Sequence, residues 1–399
     1  MAGFNPLAQR VLGMQRRQAL NACFPRMLRV SFRPNIKLRE TPMPARIIGM
    51  IGTQQEGVAV HLIKGQISRQ WVVDFTRLHE QWNYDSVLVG YYASAAEGFA
   101  IALYAADYTE RIKFLIAHRP GSVAPALAAR QIATFDQLTQ GRMSLHVIAG
   151  TSDQDQASEG DFLPKNDRYR RAGEYLDVMR KLWTSDGPLD HRGEFYRLEA
   201  GYTDIKPFQQ PFPPLFFGGS SEGALEMGAQ YCDVFAIFGE PLKETRDRVQ
   251  DFRRRASAFG RRVGFNMSLR PIMAETEGAA WDKANALLAD VERKTGAPMQ
   301  PTNNSAERLL GYAARGDVHD ERLWMGIARA TGAPGNTSCL VGTPEQIAAA
   351  VLEYYRLGIH SFLLRGFENP HDTMAIGRDL IPLIKAGALE IDQQAEAAE

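Results

Sequence analysis

The chain has 399 residues, 45% of them hydrophobic and 10% aromatic, which is enough to bury the core of one large α/β domain or of two smaller ones. Its formal net charge is zero, but residues 1–42 contain eight Lys or Arg and one acid, so the remainder is acidic and unsuited to binding nucleic acid. No apolar run approaches the roughly 18 residues that cross a bilayer, which excludes a membrane span. Cys23, Cys232 and Cys339 lack metal-ligand spacing and are odd in number, which is typical of reduced thiols in a cytoplasmic protein.

Residues 1–42 are predicted to be a basic extension outside the fold. Their arginine-rich composition is similar to that of a transit peptide, but Pro6, Pro25 and Pro34 interrupt any long amphipathic helix. An alternative is a gene start placed upstream of the native one, since Met43 comes three residues before the first predicted strand. In both interpretations the folded domain begins near Met43.

From Arg46 onward, short apolar runs alternate with amphipathic helices, which is typical of a parallel sheet built from βα units. A small hairpin is predicted between His191 and Tyr202. Eight strand–helix units over residues 43–386 predict a (β/α)8 TIM barrel with insertions, followed by a polar tail, 387–399. A doubly wound sheet is disfavoured because the loop 52–57 lacks the glycine-rich fingerprint. The eight strands are predicted at Arg46–Ile51, Ser86–Val89, Ile112–Ala117, Met143–Ile148, Leu215–Phe217, Val234–Phe238, Phe265–Ile272 and Ser361–Arg365.

Residues 293–337 break this rhythm with several prolines and glycines and little periodicity. Loops this long in a compact domain are usually functional, and many are lids over a site. We therefore predict that this segment, called the lid below, covers the active site.

One stretch carries the strongest local signal for a ligand. Leu215–Phe217 is predicted as a strand buried on both faces, and Gly218 and Gly219 allow a tight turn and a close approach to a ligand. Ser220 is a good N-cap for the helix that follows, and free N–H groups at a helix N-terminus bind phosphate. A plain strand-to-helix turn remains the alternative for these residues alone.

In a barrel the chemistry lies where the strands end, so the residues just after each strand are candidates. Bases outnumber acids among them, which predicts an anionic ligand. No metal is predicted, because His191, His319 and His371 do not stand with acids at metal-ligand spacing. The strand-end residues are Gln54, Tyr91, Tyr92, His118, Arg119, Gly150, Thr151, Gly218, Gly219, Ser220, Ser221, Glu240, Arg270 and Phe367.

Several motifs, in order along residues 46–383, resemble those of the bacterial-luciferase-like flavin monooxygenases, and within them the alkanesulfonate monooxygenases. The resemblance implies a two-component enzyme to which a separate NAD(P)H-dependent reductase supplies reduced FMN. With O2, such an enzyme cleaves the C–S bond of an organosulfonate and releases sulfite and an aldehyde. It also implies a homodimer or homotetramer. The motifs are Gly141–Gly150 (GRMSLHVIAG), Asp167-Arg168-Tyr169, Pro213–Ser221 (PPLFFGGSS) and Gly239-Glu240-Pro241.

The resemblance assigns roles to individual residues. Those implied for FMN are His146, Gly150, Thr151, Tyr169, Gly218, Gly219, Ser220 and Ser221, and those implied for the substrate and catalysis are Arg270, Gln54, His118 and Arg329. Each has a structural alternative: an ion pair for Arg270, a hydrogen bond for His118 or Gln54, a core position for His146 and a solvated surface for Arg329. An arginine suits a sulfonate because its planar fork donates two hydrogen bonds to adjacent oxygens.

The chain departs from the alkanesulfonate pattern at many substrate-facing positions. Gln54 replaces a His, Ala95 a Cys, His146 an Asn and Phe367 a Tyr, while Ser268-Leu269-Arg270 replaces Arg-x-His and Thr331 stands in place of the lid arginine. These changes favour a substrate other than a linear alkanesulfonate, with sulfoquinovose, dimethyl sulfone and methanesulfonate as candidates. Two other functions stay open: a deazaflavin F420-dependent oxidoreductase of the same superfamily, and a barrel that binds flavin without turnover.

Overall fold

The structure, a computed structural model, describes residues 44–54, 66–149, 152–295, 301, 303–335 and 337–398. The predicted extension 1–42 therefore lies outside the described residues, as do Gly150 and Thr151. Met43–Glu399 forms one compact unit by itself.

Eight parallel strands close into a barrel, which confirms the predicted TIM barrel. Hydrogen bonding follows the order β1-β2-β3-β4-β7-β8-β9-β13, and β13 returns to β1, where Ile48 lies beside Leu363. All eight strands overlap their predicted positions. Their bounds are β1 Arg46–Ile51, β2 Ser86–Val89, β3 Lys113–His118, β4 Met143–Val147, β7 Leu215–Phe217, β8 Val234–Phe238, β9 Gly264–Met273 and β13 Ser361–Leu364.

The remaining strands belong to insertions. The predicted hairpin is present as β5 (Leu189–Arg192) and β6 (Arg197–Gly201), paired antiparallel. The outer half of β9 leaves the barrel and pairs with β12 (Cys339–Gly342). On its other side β12 pairs antiparallel with the short strand β11 (Leu323–Trp324), which pairs in turn with β10 (Val318–His319). Two strands of this small sheet, β10 and β11, thus belong to the lid, and β12 connects them to β9 at the barrel mouth.

Helices surround the barrel and form part of the lid. The first, α1, begins after Ser68, whose hydroxyl accepts from the N–H of Trp71. A capping box of Thr343 and Gln346 begins α11. The bounds are α1 Arg69–Gln81, α2 Gly98–Ala106, α3 Pro125–Leu138, α4 Asp153–Ala157, α5 Lys165–Thr184, α6 Glu222–Tyr231, α7 Leu242–Ala258, α8 Glu277–Thr295, α9 Asn304–Ala313, α10 Gly326–Thr331, α11 Pro344–Arg356, α12 His371–Ala375, a π-helical turn Ile376–Leu380 and α13 Ile381–Ala398.

Two features differ from the sequence expectations. Helix α13 continues through most of the polar tail to Ala398, because Ile384 and Ala388 keep one face buried. The lid is more regular than its prolines and glycines suggest: α9 buries Ala306, Leu309 and Ala313, a helical spacing within an otherwise irregular segment. No helix in the described part of the chain is long and apolar enough to cross a membrane.

Side chains alternate along each barrel strand between the helix layer and the barrel interior. Phe114 and Ile116 of β3 pack in the large core shared with the helices, whereas Leu115 belongs to a small cluster built from strand residues alone. Because the period of a strand is two, this alternation places Arg119 on the inner side and His118 on the outer side. The same rule turns His146 of β4 and Arg270 of β9 inward, since their neighbours Leu145 and Leu269 face the helices.

Candidate active site

The Gly-Gly-Ser-Ser turn, residues 218–221, joins β7 to α6 at the carboxyl ends of the strands. A Cβ on Gly218 would lie 2.6 Å from the carbonyl oxygen of Ala236, and one on Gly219 would lie 2.5 Å from the Cβ of Ala224. Neither position tolerates a side chain. The turn therefore depends on both glycines for its close packing against β8 and α6.

The two serines of the turn have different surroundings. Ser221, and not Ser220 as predicted, is the N-cap of α6, since the two glycines extend the turn and the helix begins at Glu222. The Ser221 Oγ is buried and has no hydrogen-bond partner among the residues that the structure describes. A buried hydroxyl at a helix N-terminus, beside free N–H groups, is suited to a phosphate oxygen.

Ser220 is in contact with one arginine of the barrel helices and one serine of the lid. Its Oγ accepts from Nη2 of Arg248 at 2.7 Å and lies 2.9 Å from Oγ of Ser305 in α9. Arg248 lies on α7, 28 residues further along the chain. The turn is thus linked both to the barrel helices and to the lid.

Tyr169 lies beside this turn, as the resemblance implied. It is on α5, largely buried, with its ring edge-on to Phe217 at 6.3 Å between centroids. A Cβ on Gly223, in the first turn of α6, would lie 3.3 Å from the Tyr169 ring. The α5 and α6 helices therefore bring Tyr169 and the Gly-Gly-Ser-Ser turn together at one side of the mouth.

Two buried guanidinium groups lie in the mouth. Arg270 is completely buried, donates from Nη2 to the carbonyl oxygen of Gly366 at 2.6 Å, and stacks on the ring of Phe367 with 3.5 Å from Cζ to the ring centroid. Arg365 follows β13, whose Leu364 is the register partner of Leu269 in β9, so the two arginines are neighbours on adjacent strands. Burial lowers the pKa of Arg270 well below its usual range, and the positive charge of Arg365 lowers that pKa further. The pair forms a concentrated positive charge shielded from water.

His146 faces the barrel interior beside Phe216, its register partner on β7. It keeps some exposed area, yet burial lowers its pKa to about 4. The imidazole is therefore neutral near pH 7. Its Nδ1 is buried and makes no hydrogen bond within the described ranges, so a bound ligand can use it.

The other predicted catalytic residues receive less support. His118 faces the helix layer, where its Nε2 is hydrogen-bonded to the Tyr175 hydroxyl at 2.7 Å, and burial lowers its pKa to about 4. This geometry supports the structural alternative. Arg329 is half-exposed on α10 and ion-paired with Asp317, which fits the solvated alternative. Gln54 is partly buried at the end of β1.

The family of this chain can be identified from its similarity to known proteins. The luciferase-like monooxygenase family model matches residues 46–361, which is most of the chain and contains seven of the eight barrel strands in full. This chain belongs to the luciferase-like monooxygenase family. The match covers both the Gly-Gly-Ser-Ser turn and Arg270.

Solved structures with the same fold include several enzymes of differing chemistry. Riboflavin lyase RcaE, with modified FMN and the substrate riboflavin, has a TM-score of 0.70 and 19% identity over 86% of this chain and 92% of its own. DmoA from Hyphomicrobium sulfonivorans has a TM-score of 0.68 and 20% identity over 87% and 88%. An F420-dependent secondary alcohol dehydrogenase, in complex with an F420–acetone adduct, has a TM-score of 0.63 and 17% identity over 86% and 99%. At these identities the likeness establishes the fold.

The mouth of this luciferase-like monooxygenase also contains two acids that do not directly follow a barrel strand. Arg119, on the inner side of β3, is ion-paired with Asp155 and lies 2.5 Å from Glu159, while the Tyr91 ring lies 4.6 Å from its Cζ. Both acids come from the α4 region, beyond the strand end. Arg119 is therefore neutralised by acids of the protein itself.

Acids also lie nearer to two histidines than the sequence spacing indicated. His191 Nε2 is 3.0 Å from Glu174 Oε1, and ligand atoms of Glu368, His371 and Asp372 lie within 4.8 Å of one another. The expectation that these histidines stand apart from acids is wrong. Asp372 already has a cationic partner, since Lys283 Nζ is 3.1 Å from its Oδ1. The prediction of no metal stays a prediction.

Sequence reasoning missed two residues of this site. Arg365 was not among the predicted site residues because it is the last residue of the predicted strand Ser361–Arg365, although the alternation along β13 turns it inward. Arg248 lies in a helix with many charges, and nothing in its local pattern distinguishes it. Only the packing of α7 against the Gly-Gly-Ser-Ser turn reveals its contact with Ser220.

Proposed function

We propose that this protein is an FMNH2-dependent, two-component monooxygenase that cleaves the C–S bond of an organosulfonate with O2, releasing sulfite and an aldehyde. The observation that carries the proposal is the pair of buried guanidinium groups, Arg270 and Arg365, at the same end of the barrel as the Gly-Gly-Ser-Ser turn. The substrate classes are sulfoquinovose and short alkanesulfonates.

A sulfonate fits this pair for electrostatic reasons. Two like charges in a buried site repel each other, and an anion bound beside both of them offsets that repulsion. A sulfonate carries one negative charge over three oxygens and can accept from two guanidinium forks at once. The same pair gives less benefit to an uncharged sulfone, which favours a sulfonate over dimethyl sulfone.

The cofactor proposal rests on the Gly-Gly-Ser-Ser turn. Its residues fit an FMN phosphate: the glycines bring the backbone close, the Ser221 hydroxyl needs an acceptor, and the N-terminus of α6 favours an anion. Tyr169 and the neutral His146 would contact the flavin from the same mouth. When bound, reduced FMN supplies the electrons with which O2 oxidises the substrate.

The chain's own contribution is to bind, orient and exclude water. The residue that follows the lid is attached to the mouth at β9, where the N–H of Arg270 donates to the carbonyl oxygen of Ser338 at 2.9 Å. An oxidising site of this kind requires shielding from bulk water, because water would allow unproductive decay. A separate NAD(P)H-dependent flavin reductase and a homodimeric or homotetrameric assembly are part of the proposal.

Sulfite release tests the function directly. Purified protein would be incubated with FMN, a flavin reductase, NADH and O2, with sulfoquinovose, methanesulfonate, longer alkanesulfonates and dimethyl sulfone in parallel. Sulfite above the level of a reaction without the protein is expected for at least one sulfonate. Release from none of them would refute the sulfonate assignment.

An F420-dependent oxidoreductase is the second candidate, because a solved enzyme of that kind shares the fold. Reduced FMN and reduced F420 would be titrated separately under anoxia while tryptophan fluorescence is followed. Quenching at micromolar FMN alone supports the monooxygenase, and quenching by F420 alone supports the second candidate. Tight retention of oxidised flavin through purification, without turnover, would instead indicate a flavin-binding barrel that is not an enzyme.

A further inference from the structure

A buried carboxylate, Glu240, joins two arginines from different parts of the chain. It follows β8 and is 2% exposed. Arg248 of α7 is ion-paired with its Oε1, and Nη2 of Arg308, from lid helix α9, lies 2.8 Å from its Oε2. The hydroxyl of Tyr312, also on α9, donates to the same oxygen at 3.1 Å. One carboxylate thus fixes both the lid helix and an arginine of the barrel.

Arg248 extends this connection to the Gly-Gly-Ser-Ser turn. Its Nη1 donates to Glu240 Oε1, while its Nη2 donates to the Ser220 Oγ at 2.7 Å and to the Gly219 carbonyl oxygen at 3.1 Å. Ser220 in turn meets Ser305, in the first turn of α9. The turn and the lid helix therefore touch directly at their serines and indirectly through Arg248 and Glu240.

Basic groups lie on both sides of this contact, while Glu222 and Glu307 stand in the first turns of α6 and α9 and Glu222 is ion-paired with Arg255. Arg248 and Arg308 share the single charge of Glu240, and Lys165 adds a third cation, with its Nζ 2.6 Å from the Asn304 Oδ1. The N-terminus of α9, capped by Asn303, comes to the same place as the N-terminus of α6. Helix N-termini carry partial positive charge, so α9 adds positive charge beside the turn.

We infer that Arg248 and Arg308 determine the preference of the site for a phosphate-bearing flavin. They do so by holding the lid helix α9 against the Gly-Gly-Ser-Ser turn when a phosphate is bound there; this position of α9 is called the seated lid. This inference rests on the proposed function, in which that turn binds the FMN phosphate. Both arginines are positioning residues: Arg248 acts through Ser220, and Arg308 acts through Glu240. Lysine at either position would keep the charge but lose the fork that contacts two partners.

The physical reason is differential stabilisation of the seated lid. A phosphate dianion on the turn offsets the positive charge of Arg248, Arg308, Lys165 and the two helix N-termini, so it stabilises the seated lid. Riboflavin has no phosphate and leaves that charge uncompensated. A ligand shifts such an equilibrium only through its different affinity for the two states, and the phosphate supplies that difference.

The test compares two lid arginines, of which Arg308 pairs with Glu240 before α7 and Arg315 pairs with Glu244 in the first turn of α7. Arg308→Gln removes the contact with Glu240, whereas Arg315→Gln removes the exposed pair between Arg315 and Glu244 (2.7 Å) without touching the turn. Affinities for reduced FMN and reduced riboflavin would be measured under anoxia for the wild type, both variants and Arg248→Lys. Hydrogen exchange of residues 304–313 would be followed with each flavin.

In the wild type we expect FMN, but not riboflavin, to slow exchange in 304–313. Arg308→Gln and Arg248→Lys should lose roughly tenfold in FMN affinity, the scale of one charge-assisted hydrogen bond, with riboflavin affinity unchanged. Arg315→Gln should resemble the wild type. Because Arg308 is partly exposed, its replacement leaves the fold in place for the comparison.

Failures of the two proposals are distinguishable. If neither flavin binds the wild type, or both bind equally, the assignment of the turn to an FMN phosphate is wrong and the inference falls with it. If the wild type prefers FMN but Arg308→Gln behaves as Arg315→Gln does, the cofactor assignment survives and the inference alone is refuted. Equal slowing of exchange by FMN and riboflavin also refutes it.

Discussion

The guanidinium carbon of Arg270 lies 3.5 Å from the centroid of the Phe367 ring, a stacked contact at the point where β9 leaves the barrel. The aromatic face and the hydrogen bond to the Gly366 carbonyl fix the plane of the guanidinium. A guanidinium held in this way is preorganised, so less conformational entropy is lost when an anion binds its edge. Arg365 supplies a second fork from the adjacent strand.

Replacing Arg270 with Lys is expected to damage substrate recognition more than the fold. Lysine keeps a positive charge but cannot stack as a plane or donate two parallel hydrogen bonds. Loss of about one charge-assisted hydrogen bond predicts a decrease in kcat/KM for the sulfonate of roughly tenfold to a hundredfold, measured by sulfite release. Reduced-FMN affinity serves as the control and should not change, because the proposed phosphate site is the Gly-Gly-Ser-Ser turn and not Arg270. An unaltered kcat/KM in this variant would show that Arg270 does not contact the substrate.

Ser221→Ala is expected to weaken FMN binding without lowering the stability of the free protein. The Ser221 Oγ is buried and lacks a partner in the described structure, so its removal costs no existing hydrogen bond and relieves a desolvated polar group. Its partner would be the phosphate. We expect FMN affinity to fall by about fivefold to tenfold, with riboflavin affinity and the thermal midpoint unchanged. A drop in riboflavin affinity of the same size would indicate a general defect of the turn.

The sequence was sufficient for the barrel and its mouth because those features have local signals. Strand periodicity located β1, β3 and β9, and the glycines at 218 and 219 identified the tight turn. The choice between adjacent residues was harder. His118 is the last residue of β3 and Arg119 is the next residue. Only the outward packing of Phe114 and Ile116 decides which of the two faces the barrel interior.

The contacts that sequence reasoning missed join residues far apart in the chain. Glu240 meets Arg308, 68 residues later, and Ser220 meets Ser305, 85 residues later. No periodicity or motif carries such pairings, because they arise from how the lid packs on the barrel. Arg329 shows the converse: its position near a family arginine in the sequence did not reveal that its side chain is half-exposed and ion-paired with Asp317.

Gly218→Ala is expected to destabilise the protein, with Gly278→Ala as a matched control. A Cβ at Gly218 would lie 2.6 Å from the Ala236 carbonyl oxygen, so backbone must move, and we expect the free energy of unfolding to fall by about 1–3 kcal/mol. A Cβ at Gly278 in helix α8 meets no atom within 4 Å, so alanine there should raise it by up to about 1 kcal/mol. Denaturant unfolding measures both. Equal effects would show that Gly218 is not sterically required.

Buried His118 makes stability depend on pH in a predictable direction. Its pKa falls from the ordinary 6.5 to about 4 because of burial, so between these values the unfolded chain binds a proton that the folded protein does not. The free energy of unfolding should therefore fall as pH decreases from about 6.5 to about 4, by up to about 1.4 kcal/mol per pH unit for this group.

The same burial argument applies to His79 and His146, whose pKa values are also lowered to about 4, so His118 is one of several contributors to the slope. His118→Asn should make the decrease of stability with falling pH shallower by about 1.4 kcal/mol per pH unit, whatever its effect at pH 7. Tyr175→Phe is the matched control, because it removes the hydrogen bond to His118 Nε2 but leaves the imidazole buried. It should lower stability yet retain the pH slope. If both variants retain the wild-type slope in denaturant unfolding between pH 4 and 7, His118 takes up its proton in the folded protein as readily as in the unfolded chain, and burial does not control its charge.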